Sequence, residues 1–335
     1  MGKYIIKRIF LSIIVLFIVI LITFIITRAI PGDPAVKWAG PRANAEQIAA
    51  ARLELGLDKP YVIQFFNYTE NLLHGDLGYS YITHRAVADE LMEAIPATME
   101  LILLSTIISI ILGMALGLYS AKYKDKLLDH GVRFFAIGSV SLPSFWLALA
   151  LQLVFYGILG IFPLGGRVST NISILYEIPD ITGFLLLDSL ITGNWIIFKD
   201  ALWHIVLPVV TLSTNVGVVA RMTRSALLEI LNEDYIVAEK SYGIKEQYIL
   251  WVYALKNSLG PTATVVTLTV GYTIVNTILV ESIFSWHGIG KYVSNAVMSF
   301  DYPAIIGVTI FSAVVYLILN LIADIVISLD PRVRI

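Results

Sequence analysis

Residues 9–28, "IFLSIIVLFIVILITFIITR", form an apolar run whose only charged residue is Arg28 at its end. A helix of about 20 such residues crosses the ~30 Å hydrocarbon core of a bilayer. Runs of similar character follow near residues 98–120, 134–160, 203–222, 262–283 and 303–328. Barrel strands would be half as long and would alternate apolar with polar residues. The sequence therefore predicts an all-α integral membrane protein with six transmembrane helices.

The composition excludes several classes of protein. The chain of 335 residues is 57% hydrophobic and only 14% charged, with a mean hydropathy of +0.80, which is far too apolar for a soluble domain. A net charge of −2 argues against a nucleic-acid partner. The absence of cysteine rules out disulfides, thiolate catalysis and cysteine-ligated metals.

The distribution of basic residues predicts the orientation of the chain in the membrane. Segments 1–8, 121–133, 221–260 and 329–335 contain three, four, five and two of the 23 Lys and Arg residues. Since cytoplasmic loops are enriched in these residues, we predict that both termini are cytoplasmic. The first span resembles a signal peptide, but its apolar core is too long and no small-residue cleavage site follows, so we expect a retained anchor. Residues 29–97, 161–202 and 284–302 are then external, and the first of these, with a predicted helix at 44–57, is compatible with a small cap.

The polar stretch 234–246, "DYIVAEKSYGIKE", lies between two apolar spans. Asn232 or Asp234 is expected to cap a short helix, and Gly243 is expected to end it in a left-handed conformation. The spacing places Tyr235, Ala238 and Tyr242 on one side of that helix. A second helix is predicted from Lys245 toward Asn257, with Pro261 marking entry to the fifth span. A short helix held outside the bilayer suits a groove on a partner; the alternative is an amphipathic loop lying on the membrane surface.

Residues 233–261, "EDYIVAEKSYGIKEQYILWVYALKNSLGP", resemble the cytoplasmic EAA loop of permease subunits of binding-protein-dependent ABC importers, in the version of the dipeptide/oligopeptide family. The matching positions are Asp234, Tyr235, Ala238, Gly243, Ala254, Leu255, Asn257 and Pro261. Val237 and Glu239 depart from the general motif as they do in peptide-type permeases. Further similar blocks are "GDPA" at 32–35, "LGLDKPYVIQFFNY" at 55–68, "HGDLGYSY" at 74–81, "ITGFLLLDSL" at 181–190, "ESIFSWHGIGKYV" at 281–293, "DYPAIIG" at 301–307 and "LDPRVR" at 329–334.

This resemblance implies a type I importer permease fold, in which the first helix of the loop is a coupling helix that docks on an ATPase. The residues implied in coupling are Asp234, Tyr235, Ala238, Glu239, Lys240, Tyr242, Gly243 and Ile244. The expected partners are a homologous second permease, two ATPases that bind ATP and Mg, and an external substrate-binding protein. The expected divisions are an anchor at 1–28, an external region at 29–97 and a five-helix core at 98–335 with its coupling loop at 232–260.

The substrate that the resemblance implies is a di- or oligopeptide. Oligosaccharides, nickel complexes and glutathione remain open, because similar permeases serve them and specificity lies mostly in the binding protein. The implied mechanism is alternating access, in which ATP-driven closure of the ATPases moves the coupling helix and tilts the fourth and fifth spans.

The candidate motifs for catalysis or cofactor binding lack the residues that such sites require. "GIGKY" at 288–292 has Ser285 and Tyr292 where a phosphate-binding loop needs Gly and Ser or Thr. The five histidines lack metal-ligand spacing. We therefore predict no enzyme activity and no cofactor bound by this chain. A stand-alone secondary transporter or channel is the competing hypothesis, although such proteins usually carry buried carboxylates that spans four and five lack at mid-depth.

Polar residues within spans usually face a bundle interior or a water-filled path. The candidates for lining a translocation path are Ser213, Thr214, Asn215, Thr273, Asn276 and Thr277. Hydrogen bonding between helices is the alternative role.

Two other residue types predict helix shape and packing. Pro143 and Pro208 are expected to kink or break spans three and four, because proline removes a backbone hydrogen bond. Gly113 and Gly117 form a small-xxx-small pair that permits close packing of the second span.

Overall fold

The computed structural model describes residues 2–29, 33–40 and 42–328. Most of these residues are helical. The α-helices in chain order are α1 Gly2–Ala29, α2 Pro34–Ala39, α3 Ala45–Glu54, α4 Tyr61–Leu73, α5 Val87–Lys122, α6 Leu127–Ser141, α7 Ser144–Leu151, α8 Thr170–Leu175, α9 Leu185–Ile191, α10 Trp195–Leu212, α11 Val216–Ile230, α12 Asp234–Ser241, α13 Glu246–Tyr248, α14 Leu255–Ile283, α15 Ile289–Ser299 and α16 Tyr302–Ser328. π-Helical turns cover Gln152–Ile158 and Ile249–Ala254, and a 3₁₀ turn covers Ser213–Asn215. The block "LDPRVR" at 329–334, which resembles the permease family in sequence, lies outside the described residues.

The described helices include four that are long and apolar enough to cross a membrane: Ile6–Ile26, Val87–Lys122, Trp195–Ile230 and Glu246–Ile283. Helices Leu127–Ser141 and Ser144–Ile158 make a fifth if they count as one span bent by 102°. A shorter apolar helix, Tyr302–Ile318, covers the start of the sixth predicted run. The all-helical membrane architecture is thus confirmed, while the count of six spans stays a prediction.

The sharp bend falls where Pro143 predicts it. Leu142, which precedes the proline, has φ −92° and ψ 127°, and helix α7 starts directly after Pro143. The proline ring disfavours helical torsions in the preceding residue, so the helix must stop before it. The expectation of a break in span three is confirmed.

Pro208 does not break span four, and the expected kink at this residue stays a prediction. Helix α10 continues through Pro208, and the irregularity is the 3₁₀ turn at Ser213–Asn215, several residues later. A proline in a helix interior leaves one carbonyl without its usual donor but does not by itself force a break.

Gly113 and Gly117 bring helices α5 and α11 into close contact, as the sequence predicts. A β-carbon on Gly113 would lie 2.6 Å from Cβ of Val219, and one on Gly117 would lie 2.6 Å from the carbonyl oxygen of Ala220. Such distances are far below van der Waals contact, so only glycine permits this separation of the two helices.

We expect Gly117→Ala to destabilise the protein by about 1–3 kcal/mol, because the added methyl group must push two helix backbones apart. Thermal unfolding of the detergent-solubilised protein measures the change. Gly138→Ala on helix α6 is the matched control, since no atom lies within 4 Å of the place that its added methyl group would take. Alanine there should be neutral or stabilising by helix propensity. Equal melting temperatures for the two variants would contradict the packing argument.

The chain forms two compact units. The first unit comprises Met1–Pro96 with Gly288–Leu321, and the second comprises Ala97–His287 with Ile322–Ile335. The first unit has a core around Val87, Leu91 and Val308. A satellite cluster in that unit packs Phe65 against Ile20 of α1. Each unit therefore buries apolar surface of its own.

Two of the hydrophobic cores in the second unit lie at opposite ends of its long helices. One contains Leu101, Phe284 and Trp286, whose indole N–H donates to the carbonyl of Ala97 at 2.9 Å. The other contains Leu118, Leu227, Ile236 and Ile249 and surrounds the segment between α11 and α14. Part of helix α12 is thus packed against the bundle.

Candidate functional site: the helix between the fourth and fifth spans

Helix α12 begins without the side-chain cap that the sequence suggests. The N-cap residue is Glu233, which has extended torsions and makes no side-chain cap hydrogen bond. Asn232 instead donates from Nδ2 to the carbonyl of Leu228 at 2.8 Å, and Asp234 lies in the first turn. The expectation that Asn232 or Asp234 caps the helix is therefore wrong. Asp234 still contributes, because a negative charge in the first turn interacts favourably with the helix dipole.

The end of α12 is a Schellman turn built on Gly243, which has φ +78°. The Gly243 N–H donates to the carbonyl of Lys240 at 3.0 Å, and the Ile244 N–H donates to that of Glu239 at 3.2 Å. Both bonds satisfy carbonyls that the end of a helix leaves open. Glycine takes the left-handed conformation without steric cost, so the predicted role of Gly243 in this turn is confirmed.

A single residue of α12 is buried in the bundle. Ile236 is fully buried and packs in the cluster with Leu118, Leu227 and Ile249, and Ile244 packs against the same cluster after the turn. The sequence analysis did not single out Ile236. Its position in "DYIVAEK", between two exposed neighbours, offers no helical periodicity from which burial could be predicted.

The remaining surface of α12 faces away from the bundle. Tyr235, Val237 and Tyr242 are 40%, 54% and 84% exposed. Ala238 and Lys240 are also exposed, and Glu239 is half-buried. The Tyr235 hydroxyl accepts a hydrogen bond from Nδ2 of Asn257 at 2.8 Å, which fixes that ring against the following helix. A helix with one anchored residue and an exposed aromatic and charged surface is suited to insertion into a groove.

After the Gly243 turn, the chain enters one continuous helix. The helical segment Glu246–Ile283 is 38 residues long and includes the π-helical turn Ile249–Ala254. The helix predicted from Lys245 toward Asn257 is thus confirmed, and it continues through Pro261, which lies inside α14. A displacement of the Gly243 turn would be passed directly to this helix, because only Ile244 and Lys245 connect the two.

A buried ion pair lies near the same end of the bundle. Arg224 on α11 donates from Nε and Nη2 to the two carboxylate oxygens of Asp129 on α6, each at 2.7 Å. The Ser120 hydroxyl and the Asp125 N–H also donate to this fully buried carboxylate. Bidentate pairing of this kind fixes three helices in register. The sequence analysis missed it, because the partners are 95 residues apart.

The six candidate path residues lie in the second unit. Asn215 donates from Nδ2 to the Thr273 hydroxyl at 2.9 Å, so the structure brings these two together. Ser213 donates to the carbonyl of Ser105 at 3.3 Å, and Asn276 accepts from Ser144 at 2.5 Å. Thr277 donates within its own helix, and Thr214 is half-buried. Several of these side chains thus form hydrogen bonds between helices of this chain. A role in lining a translocation path stays a prediction.

The segment between the third and fourth spans is held by two carboxylates that the sequence analysis did not assign. Glu100 accepts hydrogen bonds from Arg167 Nη2 and from the Leu186 N–H, both at 2.8 Å. Asp188 accepts from the Thr182 hydroxyl and from the N–H groups of residues 181–183. Burial alone would raise the pKa of Asp188, but these hydrogen bonds outweigh it and lower the pKa below its ordinary value. The segment is therefore ordered by local polar contacts.

The described residues contain no cluster of three or more His, Cys, Asp or Glu side chains that could hold a metal ion. The candidate site thus consists of an exposed helix, a glycine turn and rigid connections into the bundle. Such an arrangement can transmit displacement, because its parts are connected by hydrogen bonds and buried side chains rather than by flexible segments.

The chain belongs to the family of binding-protein-dependent transport system inner membrane components. The model of that family matches residues 113–335, and that of the N-terminal part of such components matches residues 1–102. The chain is therefore a multi-pass inner membrane permease subunit, which works with a binding protein and with separate subunits that carry the ATPase activity. The family predicted from the sequence is confirmed.

Several curated relatives match over almost their whole length. The probable D,D-dipeptide transport system permease protein DdpB of Escherichia coli (strain K12) is 41% identical over 94% of this chain and 92% of its own length. The di/tripeptide transport system permease protein DppB of Pseudomonas aeruginosa is 38% identical over 100% of this chain and 99% of its own. The dipeptide transport system permease protein DppB of Alkalihalophilus pseudofirmus is 36% identical over the full length of both.

Proposed function

We propose that this protein is the permease subunit of an ATP-driven importer of di- and oligopeptides, and that α12 is its coupling helix. Ile236 anchors that helix while its aromatic surface stays exposed, and this observation carries the coupling role. The peptide substrate is supported by the names of the relatives that match at 36–41% identity, all of which are dipeptide or di/tripeptide permeases.

The proposed assembly contains this chain, a homologous second permease, two ATPases that bind ATP and Mg, and an external binding protein. The chain has six transmembrane helices with both termini cytoplasmic, an anchor at 1–28, an external region at 29–97 and a permease core at 98–335 with its coupling loop at 232–260. The distribution of Lys and Arg supports this orientation.

The proposed mechanism is alternating access. Closure of the two ATPases displaces α12, and residues Asp234, Tyr235, Ala238, Glu239, Lys240, Tyr242, Gly243 and Ile244 carry the displacement. The continuous helix Glu246–Ile283 and the helix Trp195–Ile230 then tilt together, because Ile236 packs with Leu227 and Ile249 and so joins their ends in one cluster. The Arg224–Asp129 pair ties the second of these helices to α6. Ser213, Thr214, Asn215, Thr273, Asn276 and Thr277 line the path that opens on these two helices.

Reconstitution in vesicles tests this function. We expect dipeptide uptake only when the chain is present together with the second permease, the ATPases, ATP and the binding protein. Uptake by the chain alone without nucleotide would instead support a secondary transporter or channel. The ligand that co-purifies with the cognate binding protein distinguishes peptides from oligosaccharides, nickel complexes and glutathione.

Exchanging the charges of Glu239 and Lys240 tests the docking surface. The variant Glu239→Lys/Lys240→Glu is expected to weaken co-purification of the ATPases severalfold, because opposite charges on a partner would now face like charges. Insertion of the chain in the membrane should be unchanged. The same exchange at Glu46 and Lys59, which are both exposed and lie outside the loop, is the control. Normal assembly of the first variant would refute a contribution of these charges.

A further inference from the structure

A cavity of about 400 Å³ lies in the first unit, beside the end of helix α1. Its walls come from α1 to α4, from residues 76–81 and from the start of α16. Arg28 lines it from a position two residues beyond the apolar span Ile6–Ile26. A volume of this size is ordinary for a small-molecule site. None of the coupling or path residues lies on its walls.

Three polar atoms on the cavity wall lack hydrogen-bond partners among the described residues. They are Nε of Arg28 and the hydroxyls of Tyr68 and Tyr302, and each of these atoms is buried. Tyr302 is only 3% exposed as a whole residue. Leaving buried polar groups unpaired is costly, so their presence on one cavity wall indicates a ligand that pairs with them. The guanidinium is always charged, and N–H and O–H donors together select an oxyanion.

Aromatic side chains form a further part of the cavity wall. Phe24 stacks on Tyr68 with ring centroids 6.1 Å apart, and Tyr81 makes edge contacts with Trp38 and Tyr302 at 6.1 and 6.4 Å. The guanidinium of Arg28 lies over the Phe24 ring, 5.3 Å from its centroid. These surfaces are suited to an apolar group next to the oxyanion.

The cavity also presents negative charge. Glu54 accepts a hydrogen bond from the Trp38 indole at 3.2 Å, and Asp76 accepts one from the Gly78 N–H at 2.8 Å. Both residues are exposed at the cavity and their carboxylates can accept further hydrogen bonds. One cavity therefore combines a cationic and an anionic region, which is the complement of a zwitterion.

We propose that this cavity binds a small zwitterion with an apolar group, whose oxyanion pairs with Arg28, Tyr68 and Tyr302 and whose ammonium group faces Glu54 and Asp76. Two molecules carry this chemistry: a short peptide, through its carboxylate, and an ethanolamine phospholipid, through its headgroup phosphate. The peptide as source rests on the proposed function. The cavity, its charges and its unpaired donors do not depend on that function.

Binding to the assembled, delipidated importer in detergent without nucleotide tests the proposal. The probes are the dipeptide alanyl-phenylalanine, its C-terminal amide, and phosphatidylethanolamine. Arg28→Gln is expected to weaken binding of the dipeptide or of the lipid at least tenfold, because a charged hydrogen bond is lost. Tyr68→Phe and Tyr302→Phe should each weaken it severalfold. Tyr316→Phe, an exposed position on the same helix as Tyr302, is the matched control.

The thermal stability of the unliganded variants separates binding from structure. Removing an unpaired hydroxyl should leave the melting temperature of Tyr302→Phe unchanged or higher without ligand, while the rise in melting temperature on adding ligand becomes smaller. A lower melting temperature without ligand and an unchanged rise would overturn the proposal.

The probes also show whether the bound oxyanion belongs to a peptide or to a lipid headgroup. Binding of the dipeptide but not of its amide, lost in Arg28→Gln, supports the peptide; binding of the lipid alone, lost in the same variant, supports the headgroup. If neither probe responds to the three substitutions, the proposal fails. Nucleotide-dependent uptake is measured separately, so failure of this cavity assignment is distinguishable from failure of the importer function.

Discussion

Gly243→Pro is expected to reduce transport-coupled ATP hydrolysis at least about tenfold while the chain still inserts in the membrane. Proline is locked near φ −65°, whereas the turn needs φ +78°, and it also removes the N–H that donates to Lys240. Backbone strain of this kind costs about 1–3 kcal/mol and the lost hydrogen bond about 0.5–1.5 kcal/mol, and tenfold corresponds to about 1.4 kcal/mol. The Schellman turn then opens, and α12 no longer points in one direction. The measurement is ATP hydrolysis stimulated by loaded binding protein in the reconstituted complex.

Gly75 provides a matched control for this experiment. It follows helix α4 with φ +81°, its N–H donates to Leu72, and the next N–H donates to Asn71, so the turn has the same hydrogen bonds as that at Gly243. Gly75→Pro should therefore damage its local turn to a similar degree and yet leave ATPase association intact. Gly243→Ala should have a milder effect, of about 1 kcal/mol, because no atom lies within 4 Å of the added methyl group. Full coupling in Gly243→Pro would refute the role assigned to α12.

Arg224→Met is expected to destabilise the protein by about 3–5 kcal/mol, the largest stability effect that we predict. The substitution leaves the fully buried carboxylate of Asp129 without its cation, and an uncompensated buried charge is costly. Asp129→Asn should cost less, because the Arg224 side chain is 19% exposed and retains access to water. The measurement is the melting temperature of the detergent-solubilised complex.

The double variant Asp129→Asn/Arg224→Met completes a thermodynamic cycle. It should be more stable than Arg224→Met alone, since the unpaired carboxylate is then absent. Arg221→Met, at an exposed position on the same helix, should have little effect. If the destabilisation of the double variant equals the sum of those of the two single variants, the pair does not act as a unit. The proposed fixing of α5, α6 and α11 in register is then wrong.

Local chemistry accounts for the predictions that were confirmed. Pro143 breaks its span because the proline ring acts on the residue directly before it. Gly243 ends α12 because a left-handed turn is decided within a few residues. The helix predicted at 44–57 is observed as Ala45–Glu54, with Asn44 and Gln47 forming a capping box.

The prediction that was wrong depended on a choice between neighbouring residues that can each cap a helix. Asn232 and Asp234 are both good N-cap residues, yet Glu233 occupies the N-cap, and the Asn232 side chain donates to the carbonyl of Leu228 in the preceding helix.

The sequence by itself determined that this protein is a helical membrane protein with a polar, glycine-terminated helix between two spans, because length, hydropathy and turn chemistry act over short stretches of chain. Only the tertiary structure decided which face of α12 is anchored, that Arg224 pairs with Asp129, and that Arg28, Tyr68 and Tyr302 line one cavity. These contacts join residues far apart in the chain, and a single sequence carries no signal of which distant side chains will meet. Their positions follow from helix packing, which depends on all the buried surfaces together.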